Sequence, residues 1–148
     1  MLINSCGGSV ACLEAIYQTL VDTKVRLTTI GTGTVASAAA ILLAMGDERI
    51  VLPGTRYLIH HARQTFDRVT LQGYDYETGV AEANAILERF VEMFQKTRIT
   101  EDVLKVKCSK GCDWALTPYE LKEYGVITKE DYKGWTDLLI KCMDTKND

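Results

Sequence analysis

The chain has 148 residues, the size of one domain, and this length buries about two-thirds of the unfolded surface without help from metals or disulfides. Hydrophobic residues make up 47% and charged residues 25% of it, with only two prolines, and this composition excludes a disordered chain. The net charge of -3 and the scattered single Lys and Arg residues exclude a nucleic-acid partner.

The sequence also gives no sign of a membrane segment or of disulfide bonds. The longest apolar run, residues 35–45, is too short to span a bilayer, and no basic segment follows Met1. The five cysteines are odd in number and have no repeated spacing, which favours reduced thiols. A metal site built from Cys108, Cys112 and the histidines at 60 and 61 is disfavoured, because the cysteine spacing is atypical. A cytoplasmic protein without a membrane or metal partner is therefore predicted.

The first residues predict a strand, a turn and a helix. Residues 2–5 are typical of a short strand, and the Gly7-Gly8 pair after them of a tight turn. Ser9 is a suitable N-cap for an amphipathic helix, whose apolar face is formed by Leu13, Ile16, Tyr17, Leu20 and Val21.

The same unit then repeats. Residues 25–30 are rich in β-forming side chains, and Gly31-Thr32-Gly33 predict the end of that strand. Residues 35–45 are apolar on every side, as in a buried helix. Two successive β-turn-α units predict a parallel sheet covered by helices, which is an α/β fold.

The middle of the chain predicts two short strands and one long helix. Residues 49–52 and 56–60 form the strands, and the polar residues 63–76 fit either an exposed strand pair or a loop. Helical periodicity covers residues 77–98, where apolar side chains step by three and four as in a coiled coil. This a/d series predicts either packing on its own domain or an oligomer contact, and consists of Val80, Ala83, Leu87, Phe90 and Phe94.

Two shorter helices and a tail complete the prediction. One helix starts at Thr100 and runs to Val106, and the other covers residues 118–124 and ends at Gly125. Residues 129–148 mix charged and apolar side chains and are expected to form a C-terminal extension of the domain at residues 1–128.

Ser37 is the first candidate for chemistry. If it lies in the first turn of the second helix, it stands where unpaired N–H groups and the helix dipole stabilise an oxyanion. Ala38 then offers one N–H donor. The Gly7-Gly8 turn offers a second, because such turns meet at the carboxyl edge of a parallel sheet.

A serine hydroxyl needs a neighbouring base, and the base needs an acceptor that orients it. The chain has two histidines, His60 and His61, and because neighbouring strand residues face opposite sides, only one of them can face Ser37. The acceptor stays open at this point, since the chain contains 20 acidic residues.

Four stretches resemble, in order, the motifs of the ClpP family, the proteolytic subunits of the Clp protease. They are LINSCGGSV, TGTVASAAAILLAMG, LPGTRYLIHHA and DWALTPYELKEYGVIT, and they resemble the family's INSPGG, GQAASMGAFLLAAG, LPNSRVMIHQP and DRFLSAPEAVEYGLVD. The resemblance implies the ClpP/crotonase-type fold of repeated β-α units, with a protruding helix called the handle at about residues 77–98.

The same resemblance assigns roles to single residues. Ser37 matches the family's nucleophile, His60 its general base and Asp113 its triad aspartate. The spacing from Gly8 to Ser37 matches without a gap, so Gly8 and Ala38 would supply the oxyanion-hole N–H groups. No cofactor is implied for the hydrolysis.

The resemblance also implies partners. Handle helices of the family join two stacked rings of seven subunits, so homo-oligomeric rings are expected, with polypeptide substrates and a Clp ATPase unfoldase. Residues 65–76 resemble the family's glycine-rich, substrate-aligning strand only loosely. The family has a further N-terminal segment before the first motif, so the sheet is expected to have an exposed edge, and docking of the ATPase is in question.

Several positions depart from the family's motifs. Cys6 stands in place of proline, Thr34 in place of glutamine, and Ala38-Ala39 in place of Met-Gly. A backbone N–H remains a donor when the side chain changes. These replacements are therefore expected to alter the shape of the pocket more than the chemistry. His61-Ala62 in place of Gln-Pro removes a proline from the loop that positions the base.

The sequence thus predicts a serine endopeptidase of the ClpP type. One alternative is an inactive ring or scaffold subunit. A phage head-maturation peptidase that acts without an ATPase has the same fold. A crotonase-type acyl-CoA enzyme also shares the fold but has no use for a Ser-His-Asp set.

Overall fold

The computed structural model describes residues 1–60, 73–109 and 112–129, and in the stretch after residue 72 it leaves out the side chains of residues 73–77 and 82. Three predictions fall outside these ranges. They concern His61, the polar segment up to residue 72, and the extension beyond Lys129, which includes Cys142.

The first β-α unit is formed as predicted. Strand β1 covers Leu2–Ser5 and helix α1 covers Val10–Thr23. Ser9 occupies the N-cap position, although its side chain makes no capping hydrogen bond there. Leu13 is buried on the inner face of α1 and belongs to the hydrophobic core.

Strand β2 is longer than predicted, because it covers Thr28–Ala36 and continues through the glycines expected to end it. A Cβ atom on Gly31 would lie 2.6 Å from Leu43 Cδ1, so glycine lets helix α2, Ala38–Ala44, pack directly on the strand. Near Gly33, the pairing of β1 with β2 shifts register between Ile3 and Ser5. The glycines therefore mark a bulge and a close packing contact, and the prediction of a break was wrong.

Within the described residues the sheet has five strands, and β2 is its centre. The first half of β2 pairs with β3, Glu48–Val51, and the second half with β4, Arg56–Ile59, all in parallel. Strand β1 lies at one end of the strand order in this part of the chain. A fifth strand that the sequence did not predict, β5 at Trp114–Leu116, pairs antiparallel with β4 at the other end.

Helix α3 covers Gly73–Met93, so it begins and ends earlier than residues 77–98. For residues 73–76 the predicted strand pair or loop is wrong, because these four residues form the start of helix α3. The a/d series divides into two parts. Val80 is 45% exposed, whereas Phe90 and Phe94 are 8% and 1% exposed in the core of their own domain.

The remaining helices agree closely with the sequence. Helix α4 covers Glu101–Lys107 and is capped by the Thr100 hydroxyl, which accepts from the N–H of Val103. Helix α5 covers Pro118–Glu123 and starts with a capping box, in which Thr117 and Glu120 bond reciprocally.

Arg49 on β3 donates hydrogen bonds to backbone oxygens that follow three different helices. Its guanidinium is 5% exposed and donates to four backbone oxygens, with distances of 2.7 Å to Gly46, 2.9 Å to Lys96, 2.9 Å to Gly125 and 3.0 Å to Val126. These carbonyls follow the ends of α2, α3 and α5. One side chain therefore satisfies the backbone at three helix ends.

Candidate active site

Ser37 lies at the sharp turn from β2 into α2. Its backbone has φ 57° and ψ -128°, which is strained for a residue with a side chain. The Ser37 N–H donates to the carbonyl of Leu58 on β4 at 3.0 Å, and the Ser37 carbonyl accepts from Ala40 at 2.9 Å. Among the described residues, the hydroxyl makes no capping bond to the helix, so capping does not explain the serine.

The Gly7-Gly8 turn packs against this serine, as predicted for turns that meet at the carboxyl edge of the sheet. Gly7 has φ 98°, and a Cβ atom there would lie 2.7 Å from Ser37 Cβ and 3.0 Å from Ala38 N. Only glycine therefore permits this approach. Gly8 and Ala38 both line a shallow groove of about 180 Å³ between β1, α1 and α2.

Ser37, His60 and Asp113 lie at the ends of three neighbouring strands that pair with one another. Ala36 on β2 is opposite Leu58 on β4, so Ser37 and the end of β4 share one edge of the sheet. Ile59 on β4 is opposite Trp114 on β5, so His60 and Asp113 are the first residues beyond the last pair of this antiparallel ladder. Ser37 and His60 therefore follow strands β2 and β4 directly, and Asp113 directly precedes the adjacent antiparallel strand β5.

A narrow cavity lies next to Ser37 and His60. Its volume is about 20 Å³, and apart from Ser37 and His60 its lining is apolar, with side chains from α2, α3, α4 and β4. Ser37 and His60 are both partly buried, whereas Asp113 is exposed in the described chain. The lining residues are Ser37, Ile41, Ile59, His60, Leu87, Phe90, Phe94, Leu104 and Cys108.

Glu120 fixes the segment that carries Asp113. Its Oε1 accepts from Trp114 Nε1 at 3.1 Å and from Lys107 Nζ at 2.9 Å, and its Oε2 accepts from the Thr117 N–H at 2.9 Å. The Thr117 N–H, then the Lys107 ammonium, lower the pKa of Glu120 to about 2. The carboxylate thus links the end of α4, the first residue of β5 and the start of α5.

The Glu120→Gln variant is expected to lose stability in a pH-dependent way. The pKa of Glu120 is lower in the folded than in the unfolded chain, so its contribution is complete above about pH 4.5 and disappears as the pH falls towards 2. We expect a loss of about 1 to 2 kcal/mol at pH 7, after allowing for solvent screening. Urea denaturation at pH 7 and at pH 3 measures the loss, which should shrink at the lower pH.

Glu123→Gln is the matched control, because Glu123 is an exposed acid on the same helix. It is expected to change the unfolding free energy by less than about 0.5 kcal/mol. An equal loss in both variants, or a Glu120→Gln loss that does not depend on pH, would show that the hydrogen bonds of Glu120 do not hold this segment.

Sequence reasoning did not foresee two parts of this site. Cys108 is predicted to be a reduced thiol without a role in the site, yet it lines the cavity with Ser37 and His60. Glu120 was not singled out, although a threonine followed three residues later by glutamate is a readable capping box. Within residues 1–60, 73–109 and 112–129, no group of three His, Cys, Asp or Glu side chains is arranged to hold a metal ion.

Comparison with known proteins identifies the family. The family model described as Clp protease matches residues 1–129. The chain belongs to the Clp protease family. Its α/β architecture fits that family, so the predicted fold class and the family resemblance are both confirmed.

Curated relatives of the Clp protease family match most of the chain. It is 37% identical over 129 residues to "ATP-dependent Clp protease proteolytic subunit 1" of Rhodococcus jostii, covering 86% of the chain and 57% of the relative. It is 38% identical over 131 residues to the protein of the same name from Bifidobacterium longum, covering 86% and 54%. The chain thus spans little more than half the length of these relatives.

None of the described helices of this Clp family member is suited to spanning a membrane. Across the parts of the chain that the structure describes, each helix is too short or too polar to cross a bilayer.

Proposed function

We propose that this chain is a serine endopeptidase, the proteolytic subunit of an ATP-dependent Clp-type protease that cleaves unfolded polypeptides. The observation that carries the proposal is the order of Ser37, His60 and Asp113 at the ends of three adjacent strands. A histidine between a serine and an aspartate is the arrangement that converts a hydroxyl into a nucleophile. The names of the curated relatives support the same activity.

In the proposed mechanism, His60 accepts the hydroxyl proton of Ser37 as the oxygen attacks the substrate carbonyl. Asp113 orients the imidazole and stabilises its charged form. The imidazolium then gives the proton to the leaving amine, and an acyl-enzyme remains on Ser37. Water, deprotonated by His60, attacks this ester and releases the second product, which returns the serine to its starting state.

Gly8 and Ala38 are proposed to supply the N–H groups that stabilise the oxyanion. Support comes from the contact between the glycine turn and the start of α2, where Gly7 meets Ser37 and the Ala38 nitrogen. The strained backbone at Ser37 fits the same proposal, because it lifts the serine out of the strand at the helix entrance. Hydrolysis by these groups needs no cofactor.

We also propose that the chain assembles into homo-oligomeric rings in the cytoplasm, as stacked heptamers, and receives substrates from a Clp ATPase unfoldase. The first half of the a/d series on α3 supports assembly, because Val80 and Ala83 are exposed while the second half is buried in the domain. An apolar series that leaves its own core is suited to packing on another helix.

Fluorophosphonate labelling of the purified chain tests the proposal, with Ser37→Ala as the control. We expect the parent protein to be labelled and the variant to be unlabelled at equal folded content, because the reagent reacts with an activated serine. Size-exclusion chromatography with mass detection on the same sample measures the assembly. A ring-sized, folded particle that is not labelled would contradict the peptidase proposal and favour a scaffold subunit.

A further inference from the structure

Cys108 is a buried thiol at the end of helix α4, next to the candidate site. It is 1% exposed and lines the narrow cavity together with Ser37 and His60. Its backbone N–H closes α4 by donating to Leu104 at 2.9 Å. The side chain lies between the end of α4 and strand β4, where it reaches the backbone of Ile59.

The sulfur bridges the last pair of the β4–β5 ladder. The Cys108 thiol donates to the Ile59 carbonyl, with an Sγ to oxygen distance of 3.8 Å. The backbone N–H of Trp114 lies close enough to this sulfur to influence the pKa of the thiol. Ile59 and Trp114 are opposite one another in the ladder, so the thiol contacts the last pair of the two strands.

The charge state of the thiol suits this position. Burial raises the pKa of Cys108, and so does the nearby charge of Asp113, whereas the Trp114 N–H lowers it. The thiol therefore stays protonated at neutral pH and keeps the hydrogen that Ile59 accepts. A neutral sulfur also places no second negative charge beside Asp113, and it is a poor nucleophile in its own right.

We propose that Cys108 is a positioning residue, which sets the separation and direction of His60 and Asp113 by bridging the strands that carry them. This inference rests on the proposed function. His60 follows Ile59 directly and Asp113 precedes Trp114 directly, so the sulfur lies one residue away from both members of the pair. Without this contact, the carbonyl that precedes His60 loses its hydrogen bond to the end of helix α4.

The test compares four variants of the full chain by the rate of fluorophosphonate inactivation and by kcat and KM on a short fluorogenic peptide. Cys108→Val and Cys108→Ala remove the hydrogen bond to Ile59, Cys108→Ser keeps a donor and an acceptor, and Cys112→Ser is the control at an exposed cysteine. We expect kcat to fall about tenfold to a hundredfold in the valine and alanine variants with KM nearly unchanged, because small misplacements of reacting groups have effects of this size. The serine variant should recover most of that loss.

The outcomes separate this inference from the proposed function. Parent protein that is not labelled overturns the proposed function and this inference with it. Parent that is labelled, with folded valine or alanine variants at the parental kcat, overturns the inference alone. If the valine variant does not fold, the alanine and serine variants decide, because equal rates in those two exclude a role for the hydrogen bond. A loss in Cys112→Ser equal to that in Cys108→Ala also overturns it.

Discussion

The Asp113→Asn variant is expected to lower kcat about 10³- to 10⁴-fold with little change in KM, if the proposed triad operates. Asparagine keeps the size of the side chain. It does not carry the charge that stabilises the imidazolium, and its amide donates where a carboxylate accepts. His60 and Asp113 directly adjoin the last pair of the β4–β5 ladder, so this is the acid we expect to matter.

Asp102→Asn is a suitable control for this experiment. Asp102 is an exposed acid in the first turn of α4, outside the ladder that places Asp113. Steady-state kinetics on a peptide substrate should leave its kcat within about twofold of the parent, because it has no contact with the reacting groups. A folded Asp113→Asn variant with a similarly small change would show that a different acid orients His60.

The largest expected effect on stability follows from replacing Arg49 with methionine. The methionine fills most of the space but leaves four backbone oxygens without their charged donor, at Gly46, Lys96, Gly125 and Val126. Buried acceptors that lose a partner each cost about 1 to 3 kcal/mol, and such costs are not additive. We expect the free energy of unfolding to fall by about 3 to 5 kcal/mol in urea denaturation.

Arg26→Met separates the effect of burial from that of charge. Arg26 forms one ion pair, at 2.9 Å with Glu48, and its side chain is 78% exposed. Its replacement is expected to change the unfolding free energy by less than about 1 kcal/mol. If Arg49→Met has as small an effect, the helix ends do not depend on the guanidinium, and the account of the core given above is wrong.

Local sequence signals were sufficient for elements that form from neighbouring residues. The apolar periodicity of α1 and the capping residue Thr100 of α4 gave helices close to the observed ones. Local sequence signals gave wrong boundaries or missed an element where a contact between distant residues determines the structure. Gly31 looks like a strand end, and only the packing of Leu43 against it explains why β2 continues. Strand β5 has three residues, too few for any periodicity, and it forms because β4 offers a free edge.

In the candidate site, too, some residues could be placed from local sequence signals and others could not. The positions of Ser37 and the Gly7-Gly8 turn follow from two β-turn-α units that share one sheet, and the structure places them in contact. Composition left 20 acids as possible partners of the histidine, and family resemblance selected Asp113. The physical reason for that choice is the antiparallel register of β4 and β5, which joins residues more than fifty positions apart in the chain and leaves no local trace.

The backbone at Ser37 has a consequence for how this protein changes under selection. A φ of 57° with a ψ of -128° is comfortable for glycine and costs other residues about 1 to 3 kcal/mol. Stability alone therefore favours glycine at this position, whereas the proposed nucleophilic chemistry requires serine. A lineage selected only to stay folded gains by replacing Ser37, whereas a lineage selected for the proposed activity keeps both the serine and its strained backbone.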